Sequence, residues 1–295
     1  MRSVIITGAN RGIGYDTALA FGRAGYKVYA TMRNPETATA LKQKIEEESL
    51  SIVIAVMDVN SDESVKKCID AIYKENDSVD VLVNNAGIEY HGSVEETNMP
   101  DFKAVMETNY FGVLRCIKAV LSQMRNDRNG CIINVTSVAG KISNTPLGPY
   151  TASKHALEAI SECLAQEVKP FNIQIAIVEP EVIETPIFKK ANEISGDTNY
   201  PNIKRFFAFF AASIENHIPP SVVAAVIDDI VSGKSTRLRN TAGPTAEGLM
   251  AWRTSLADED WVSSAAVDEE TWANNMAQMG LDVKKHMQLE GALHF

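Results

Sequence analysis

Long apolar runs, paired cysteine motifs and clusters of basic residues are all missing from this chain. No stretch of its 295 residues approaches the ~20 consecutive apolar residues of a membrane-spanning helix. Its four cysteines are widely spaced and form neither a CxxC motif nor a cysteine–histidine metal pattern, so we expect buried thiols and no bound metal. The formal net charge of −10 argues against a nucleic acid or an anionic membrane surface as partner.

The remaining composition is that of an ordinary soluble globular protein, with 45% hydrophobic and 22% charged residues. Met1-Arg2-Ser3 runs directly into the apolar Val4-Ile5-Ile6, without the basic-then-apolar pattern of a leader. Unpaired cysteines are typical of a reducing compartment. Together these features predict a cytoplasmic protein.

Short apolar runs alternate with longer amphipathic segments, the pattern of βαβ units in a parallel α/β sheet. The predicted strands are Ser3–Thr7, Lys27–Thr31, Ser51–Met57, Val79–Val83, Gly130–Thr136, Asn172–Val178 and Thr236–Asn240. The predicted helices are Gly12–Ala24, Pro35–Glu48, Asp62–Glu75, Asp101–Met124, Leu147–Lys169 and Pro219–Gly233. Crossovers of this length cover both faces of a sheet, so we predict one domain over residues 1–243.

Two later segments are less regular. Residues 186–217 contain Phe206-Phe207-Ala208-Phe209-Phe210 directly after the sixth strand, where α/β sheets bind ligands, which favours a helical substrate lid over simple core packing. Residues 244–295 carry Trp252, Trp261 and Trp272 among many acidic residues. We expect this C-terminal extension to form short helices that cover a sheet edge or a subunit contact.

The strongest chemical signal is Tyr150 with Lys154, thirteen residues after Ser137. On a helix, residues four apart share a face, so the ammonium lies beside the phenol. A phenol titrates near pH ~10, and lowering its pKa by about three units needs roughly 4 kcal/mol, which a nearby ammonium and the positive nicotinamide of a cofactor supply. The sequence therefore predicts a proton-transfer pair, although an isolated Tyr–Lys pair on a helix is more simply solvent-exposed.

A glycine-rich turn follows the first strand and opens the first helix. The run Thr7-Gly8-Ala9-Asn10-Arg11-Gly12-Ile13-Gly14 allows a tight turn and close backbone approach beside a diphosphate. A glycine-rich string alone is weak, but its strand–turn–helix setting predicts a dinucleotide site. The candidate contacts are Gly8, Asn10, Arg11, Gly12, Ile13 and Gly14.

The end of the second strand predicts NADP rather than NAD. An acid there accepts a hydrogen bond from the ribose 2′-hydroxyl of NAD, but Thr31, Met32 and Arg33 provide none. Thr31 offers a hydroxyl, and Arg33 with Arg11 forms a candidate clamp for a 2′-phosphate. An unpaired surface arginine is common, and the prediction depends on the two arginines together with the missing acid.

Two further loops supply candidate nucleotide contacts. Asp58 and Val59 follow the third strand, where the carboxylate is placed to accept from the adenine amino group. Asn85, Ala86 and Gly87 follow the fourth strand, and the small residues allow the backbone to lie near the adenosine ribose. An Asx-rich turn without a ligand is the alternative interpretation.

Taken together, these motifs resemble the short-chain dehydrogenase/reductase family in its short, single-domain branch. TGxxxGxG, NNAG, and Ser137 thirteen residues before YxxxK occur in family order over residues 3–185. The resemblance implies a Rossmann-type, doubly wound parallel sheet of about seven strands in the order 3-2-1-4-5-6-7. The Thr-Met-Arg segment after the second strand is similar to hydroxysteroid and retinol dehydrogenases that use NADP.

The resemblance also implies the site residues and their roles. Asn109 joins Ser137, Tyr150 and Lys154 as the active-site group. Ser137 orients the substrate carbonyl, Tyr150 donates or removes the proton, and Lys154 lowers the Tyr150 pKa and binds the nicotinamide ribose. Asn109 kinks its helix and holds a water that links Lys154 to solvent, although a plain helix irregularity is the alternative.

The loop after the sixth strand departs from the family pattern. Pro180 is followed by Glu181, where the family has glycine, whereas Val182 and Thr185 still fit a loop that contacts the nicotinamide carboxamide. A left-handed backbone at Glu181 would cost about 1 kcal/mol. We expect Glu181 to be exposed, with a carboxylate at the substrate entrance as the alternative.

Tyr90 and His91 follow Asn-Asn-Ala-Gly at positions where family members line the substrate pocket. A single histidine near a loop is more often structural or solvated than functional. We therefore do not predict a catalytic role for His91.

The sequence thus predicts an NADP(H)-dependent carbonyl reductase that interconverts a ketone or aldehyde and an alcohol, with an apolar or bulky substrate. By family resemblance we expect a homodimer or homotetramer. One alternative is a catalytically silent NADP(H)-binding regulatory protein that uses the acidic tail as a contact surface. Another, a nucleotide-sugar dehydratase or epimerase, is opposed by the short chain after the sixth strand.

Overall fold

The computed structural model describes residues 1–187, 198–200 and 202–287. Part of the predicted lid, residues 188–197 and 201, and the last eight residues of the predicted extension, 288–295, lie outside the described residues. The described chain forms a three-layer α/β structure in which one sheet separates two layers of helices.

The sheet has seven parallel strands in the order β3-β2-β1-β4-β5-β6-β7, as predicted. Its strands are β1 (Ser3–Thr7), β2 (Lys27–Met32), β3 (Ile52–Val56), β4 (Val81–Asn84), β5 (Gly130–Val135), β6 (Ile173–Pro180) and β7 (Arg239–Ala242). The chain reverses its direction of progress across the sheet between β3 and β4, so β1 and β4 are neighbours. In open α/β sheets this reversal opens a crevice at the carboxyl ends of the strands.

The helices are α1 (Gly12–Arg23), α2 (Thr39–Glu48), α3 (Asp62–Glu75), α4 (Met99–Met106), α5 (Gly112–Asp127), α6 (Gly148–Val168), α7 (Asn202–Ile214), α8 (Ser221–Val231), α9 (Ala246–Ser255), α10 (Asp258–Ser263) and α11 (Glu269–Gln278). A π-helical segment, Glu107–Phe111, connects α4 to α5. None of the helices in the described part of the chain is long and apolar enough to cross a membrane.

The core consists of two apolar clusters, one on each face of the sheet. Alternate residues of each strand point to opposite faces, so Val4 and Ile6 of β1 belong to one cluster and Ile5 to the other. The first cluster is covered by α1, α2 and α8, and the second by α3, α5 and α6. Strands buried on both faces explain the continuous apolar runs of the sequence.

Two element bounds differ from the sequence predictions for identifiable reasons. The predicted helix Asp101–Met124 is interrupted by the π-helical segment, because the Asn109 side chain bonds to the backbone of Ile88 on a neighbouring loop. The last strand covers Arg239–Ala242 rather than Thr236–Asn240, because it pairs with residues 177–180 of β6. Pairing partners in a sheet are tertiary contacts that local propensity does not encode.

Candidate active site

A cavity of about 880 Å³ lies at the carboxyl ends of the strands, above the reversal between β1 and β4. Loops from β1, β2, β3, β4, β5 and β6 line one part of it, and α6, α7 and the C-terminal helices line the rest. Its size accommodates a dinucleotide together with a small substrate. Most of the residues predicted to form the site meet in this one cavity.

The glycine-rich turn has the geometry that the sequence predicted. Gly8 and Gly12 have φ angles of +67° and +57°, which side chains other than glycine rarely adopt. A Cβ atom on Gly8 would lie 2.9 Å from the Cα atom of Ala86, and one on Gly14 would lie 2.5 Å from Asn85 Nδ2. Gly8 and Gly14 therefore permit close contact between the loops after β1 and β4, and Gly12 lies against Thr185 of the loop after β6.

The N-terminus of α1 fits a diphosphate. Arg11 is the N-cap residue, makes no side-chain capping bond, and no acid lies in the first turn of the helix. Backbone N–H groups at such an end attract an anion. Asn85 Nδ2 holds the turn from below by donating to the carbonyl oxygens of Thr7 and Gly8 at 2.8 and 3.2 Å.

We expect the substitution Gly8→Ala to be more destabilising than Gly25→Ala. Both glycines have positive φ angles, +67° and +82°, so both variants carry left-handed strain of about 1–2 kcal/mol. Only Gly8 faces Ala86, and that backbone contact adds about 1–3 kcal/mol. Urea unfolding of the two variants measures the difference, and equal losses of stability would show that the loops adjust freely.

Two guanidinium groups line the cavity, that of Arg33 after β2 and that of Arg11 in the glycine-rich turn after β1. Arg11 and Arg33 both line it, both are exposed, and neither forms an ion pair with any described residue. Thr31 differs from the prediction, because its hydroxyl donates to the Ile6 carbonyl oxygen at 3.1 Å inside the sheet. Asn34 and Thr37 line the cavity near this point instead.

Apart from Thr31 and Gly14, the predicted nucleotide contacts of the loops line the cavity. The lining residues are Gly8, Asn10, Arg11, Gly12, Ile13, Arg33, Asp58, Val59, Asn85, Ala86, Gly87, Pro180, Val182 and Thr185. Gly14 lies behind the turn and makes room for Asn85. The cradle is therefore built from five separate loops of the sheet edge.

Ser137, Tyr150 and Lys154 line the same cavity at its inner end. Tyr150 and Lys154 lie on one face of α6, with Lys154 Nζ 5.5 Å from the centre of the Tyr150 ring. Lys154 Nζ donates to the Val135 carbonyl oxygen at 2.9 Å, which fixes the ammonium at the end of β5. Ser137 Oγ accepts from Ala139 N at 3.1 Å in the turn that follows β5.

The surroundings shift the pKa values of both α6 groups. Burial raises the pKa of Tyr150, the charge of Glu89 raises it further, and a hydrogen bond with Ser137 lowers it. The sequence predicts that Lys154 lowers the Tyr150 pKa, whereas the surrounding protein groups raise it. Burial lowers the pKa of Lys154 from 10.5 to about 8, while Glu89 and Glu158 act in the other direction.

Lys154 should make stability depend on pH in the range of its lowered pKa. The folded-state pKa of about 8 lies below the ordinary 10.5, so the unfolded chain binds the proton more readily. The resulting destabilisation is complete below pH ~8 and disappears as the pH rises to ~10.5. Relative to Lys154→Met, the wild type should gain about 3 kcal/mol of unfolding free energy over this interval. Urea unfolding of both proteins across the pH series tests this, and a constant difference would contradict it.

Asn109 is fully buried and connects three parts of the site. Its Nδ2 atom donates to the Ile88 carbonyl oxygen at 2.9 Å and to Ser153 Oγ at 3.0 Å, and its Oδ1 atom accepts from Ile88 N at 2.9 Å. Asn109 does not line the cavity. The Asn109 side chain therefore holds the loop after β4 against α6. The π-helical segment orients this side chain toward Ile88 and Ser153.

Glu181 adopts neither the left-handed backbone considered for it nor a fully exposed position. It lines the cavity, its Oε1 accepts from Thr245 N at 2.9 Å, and its Oε2 contacts the Thr245 hydroxyl. Thr245 is the residue before α9. Glu181 therefore ties the end of β6 to the C-terminal extension.

Two groups of cavity residues were not predicted as site residues. Glu89 lines the cavity, and its Oε1 lies 2.7 Å from His91 Nε2. The C-terminal tryptophans Trp252, Trp261 and Trp272 line the cavity opposite the sheet. The sequence feature that could have identified Glu89 is its position two residues after Gly87, in the loop at the carboxyl end of a central strand. No local sequence feature identifies the three tryptophans as site residues.

The aromatic residues of α7 face the site. Phe206, Phe209 and Phe210 line the cavity, and Phe206 and Phe210 pack with Leu147 next to Tyr150. Phe206 contacts the His91 ring with the two ring centres 5.0 Å apart. The described part of the predicted lid thus forms an apolar wall beside the polar inner end.

The fold and site define a Rossmann-type oxidoreductase, and the comparison with family models agrees. Residues 2–195 match the model described as short chain dehydrogenase. The chain belongs to the short-chain dehydrogenase family.

Several known proteins are similar to this chain. 3-Ketodihydrosphingosine reductase of Bacteroides thetaiotaomicron is 34% identical over 252 residues, which cover 84% of this chain and 90% of that protein. Retinol dehydrogenase 8 of Bos taurus is 37% identical over 204 residues, 68% of this chain and 65% of that protein. The solved structure of an actinorhodin polyketide ketoreductase variant with NADPH is 27% identical with a TM-score of 0.73, and the match covers 83% of this chain and 97% of that chain.

Proposed function

We propose that this protein is an NADP(H)-dependent carbonyl reductase that converts a ketone or aldehyde with a bulky apolar group into the alcohol. The observation that carries the proposal is the meeting of Ser137, Tyr150 and Lys154 in one cavity with the glycine-rich cradle. A carbonyl carbon next to the reduced nicotinamide can accept hydride there while its oxygen faces two hydroxyl groups.

The preference for NADP is supported by charge. Arg11 and Arg33 are two cations without carboxylate partners among the described residues, and β2 ends without an acid. A 2′-phosphate would be bound there by charge-assisted hydrogen bonds, whereas an acid would repel it. The similar ketoreductase solved with NADPH supports the same cofactor.

When bound, the cofactor supplies the hydride, and the protein supplies orientation and the proton. Ser137 binds the carbonyl oxygen, and Tyr150 donates its proton to that oxygen as hydride arrives. The raised pKa of Tyr150 keeps the phenol protonated at neutral pH, the form that reduction requires. Lys154 places a positive charge beside the phenol and would hold the hydroxyl groups of the nicotinamide ribose, and Asn109 acts as a positioning residue for the loop after β4 and for α6.

An apolar or bulky substrate is supported by the cavity wall. Phe206, Phe209 and Phe210 of α7 lie in the apolar cluster that Tyr150 packs against, and the three C-terminal tryptophans line the same cavity. Burial of aromatic substrate surface against such walls contributes roughly 25 cal/mol per Å². The relatives named for retinol and for 3-ketodihydrosphingosine refer to an alcohol and a ketone, which supports carbonyl–alcohol chemistry.

A cofactor and substrate panel tests the proposal. Purified protein is incubated with NADPH or NADH and with steroids, retinoids, quinones, aromatic ketones, aldehydes and small ketones, and cofactor oxidation is followed by absorbance. We expect turnover with NADPH and a preference for bulky apolar carbonyl compounds. NADPH binding without turnover on the whole panel would favour the alternative, a regulatory NADP(H)-binding protein.

Three accompanying predictions belong to the same proposal. These are a homodimer or homotetramer, a cytoplasmic location, and the division into a catalytic domain, a lid over residues 186–217 and an extension over residues 244–295. Light scattering of the purified protein tests the first. Limited proteolysis with and without NADPH tests the third, because a domain that includes the extension should resist cleavage near Thr245.

A further inference from the structure

Glu89 is a buried carboxylate that lines the cavity. It lines the same cavity as Ser137, Tyr150 and Lys154, and its side chain is only 5% exposed. Glu89 Oε1 lies 2.7 Å from His91 Nε2, within hydrogen-bond distance. Glu89 Oε2 has no hydrogen-bond partner within the described ranges.

Glu89 pairs with a histidine rather than with a lysine or an arginine. Neither a lysine nor an arginine of the described residues lies within ion-pair distance of Glu89. Among these residues, its contact at that distance is the His91 ring, which packs against Phe206 and Phe207 at ring-centre distances of 5.0 and 6.3 Å. One carboxylate oxygen thus remains for a ligand that donates a hydrogen bond.

The loop that carries Glu89 is held rigidly. Asn109 binds both the N–H and the carbonyl group of Ile88, directly before Glu89. On the other side, Gly92 N donates to the Pro146 carbonyl oxygen at 2.9 Å. The carboxylate is therefore presented at a fixed position relative to α6, as a recognition group requires.

The charge of Glu89 acts on the reacting groups. It raises the pKa of both Tyr150 and Lys154, so its charge lies close enough to act on both groups. A negative charge at this place opposes the negative charge that develops on the substrate oxygen during reduction. A substrate that carries its own positive charge next to the carbonyl removes this penalty.

We propose that Glu89 is a specificity-determining residue that selects ketones with a protonated amine on the carbon next to the carbonyl, reduced to the corresponding 2-amino alcohols. The inference rests on the proposed carbonyl reductase function. The ammonium donates to Glu89 Oε2, the carbonyl faces Ser137 and Tyr150, and the apolar remainder lies against Phe206 and Phe210.

The binding of two alcohols that resemble reaction products tests the proposed role of Glu89 without turnover. Isothermal titration calorimetry compares 2-amino-1-phenylethanol with 1-phenylethanol on the wild-type protein with NADPH, a combination in which neither alcohol can be oxidised. A charge-assisted hydrogen bond predicts that the amino alcohol binds about 10- to 100-fold more tightly. Equal affinities on the wild type would overturn the proposal whatever the variants do.

Variants then assign the preference to Glu89. Glu89→Gln should abolish the preference for the amino alcohol, and Glu89→Asp should retain part of it. Glu63→Gln removes an exposed carboxylate from α3 and should keep the full preference. A preference that survives in Glu89→Gln would also contradict the proposal. Reduction of acetophenone by the wild type, measured separately, reports on the proposed function itself.

Discussion

Replacement of Tyr150 by phenylalanine is expected to lower kcat for ketone reduction about 10²- to 10⁴-fold, the usual contribution of a positioned general acid. The variant removes one hydroxyl group and leaves the ring that packs with Phe206, Leu147 and Val182. The fold and the affinity for NADPH should therefore change little. Steady-state kinetics with the best substrate of the panel measures the loss, and thermal unfolding verifies the fold.

Tyr15→Phe is the matched control for this prediction. Tyr15 is a half-buried residue of α1 that packs against the first core cluster and does not line the cavity. The control should keep kcat within about twofold, since it removes the same atoms without removing a proton donor. Wild-type rates in Tyr150→Phe would show that another group protonates the alkoxide.

The second large effect concerns cofactor choice. The double substitution Arg11→Ala and Arg33→Ala should lower kcat/KM for NADPH about 10²- to 10⁴-fold, because each hydrogen-bonded charge contributes roughly 1.5–3 kcal/mol. NADH has no 2′-phosphate, so its kcat/KM should change by much less. Steady-state kinetics at low ionic strength measures the ratio of kcat/KM for NADPH to kcat/KM for NADH. Added salt should reduce this ratio in the wild type.

Arg125→Ala serves as the control for the loss of a positive charge. Arg125 is exposed at the end of α5 and does not line the cavity. Its substitution should leave both cofactor constants unchanged. Equal losses for NADPH and NADH in the double variant would mean that the arginines support the turn rather than bind a 2′-phosphate.

The sheet could be predicted because its signals are local. Val4-Ile5-Ile6 and Val81-Leu82-Val83 are apolar runs too short for helices, and each precedes a turn or loop motif of the nucleotide site. Tyr150 and Lys154 could be placed on one helix face from their spacing alone. The strand order came from the family resemblance, and the structure confirms it.

What could not be predicted depends on contacts between distant segments. The family resemblance implied a kink at Asn109, but no helix propensity marks the π-helical segment, and the bonds from Asn109 to the Ile88 backbone join residues 21 apart in the chain. Trp252 reaches the cavity only because the extension packs over the sheet edge, where Glu181 binds Thr245. The pKa of Tyr150 likewise depends on burial and on Glu89, which the i, i+4 spacing does not reveal.

The proposed function depends on the transfer of hydride from NADPH to a carbonyl carbon in this cavity. A single turnover with NADPH that carries deuterium at both C4 positions of the nicotinamide, followed by mass spectrometry of the product, measures this transfer directly. We expect an alcohol with one deuterium on the carbinol carbon, formed quickly by the wild type and at least about 10²-fold more slowly by Tyr150→Phe. A product without deuterium, or an unchanged carbonyl compound with intact NADPH, would contradict it.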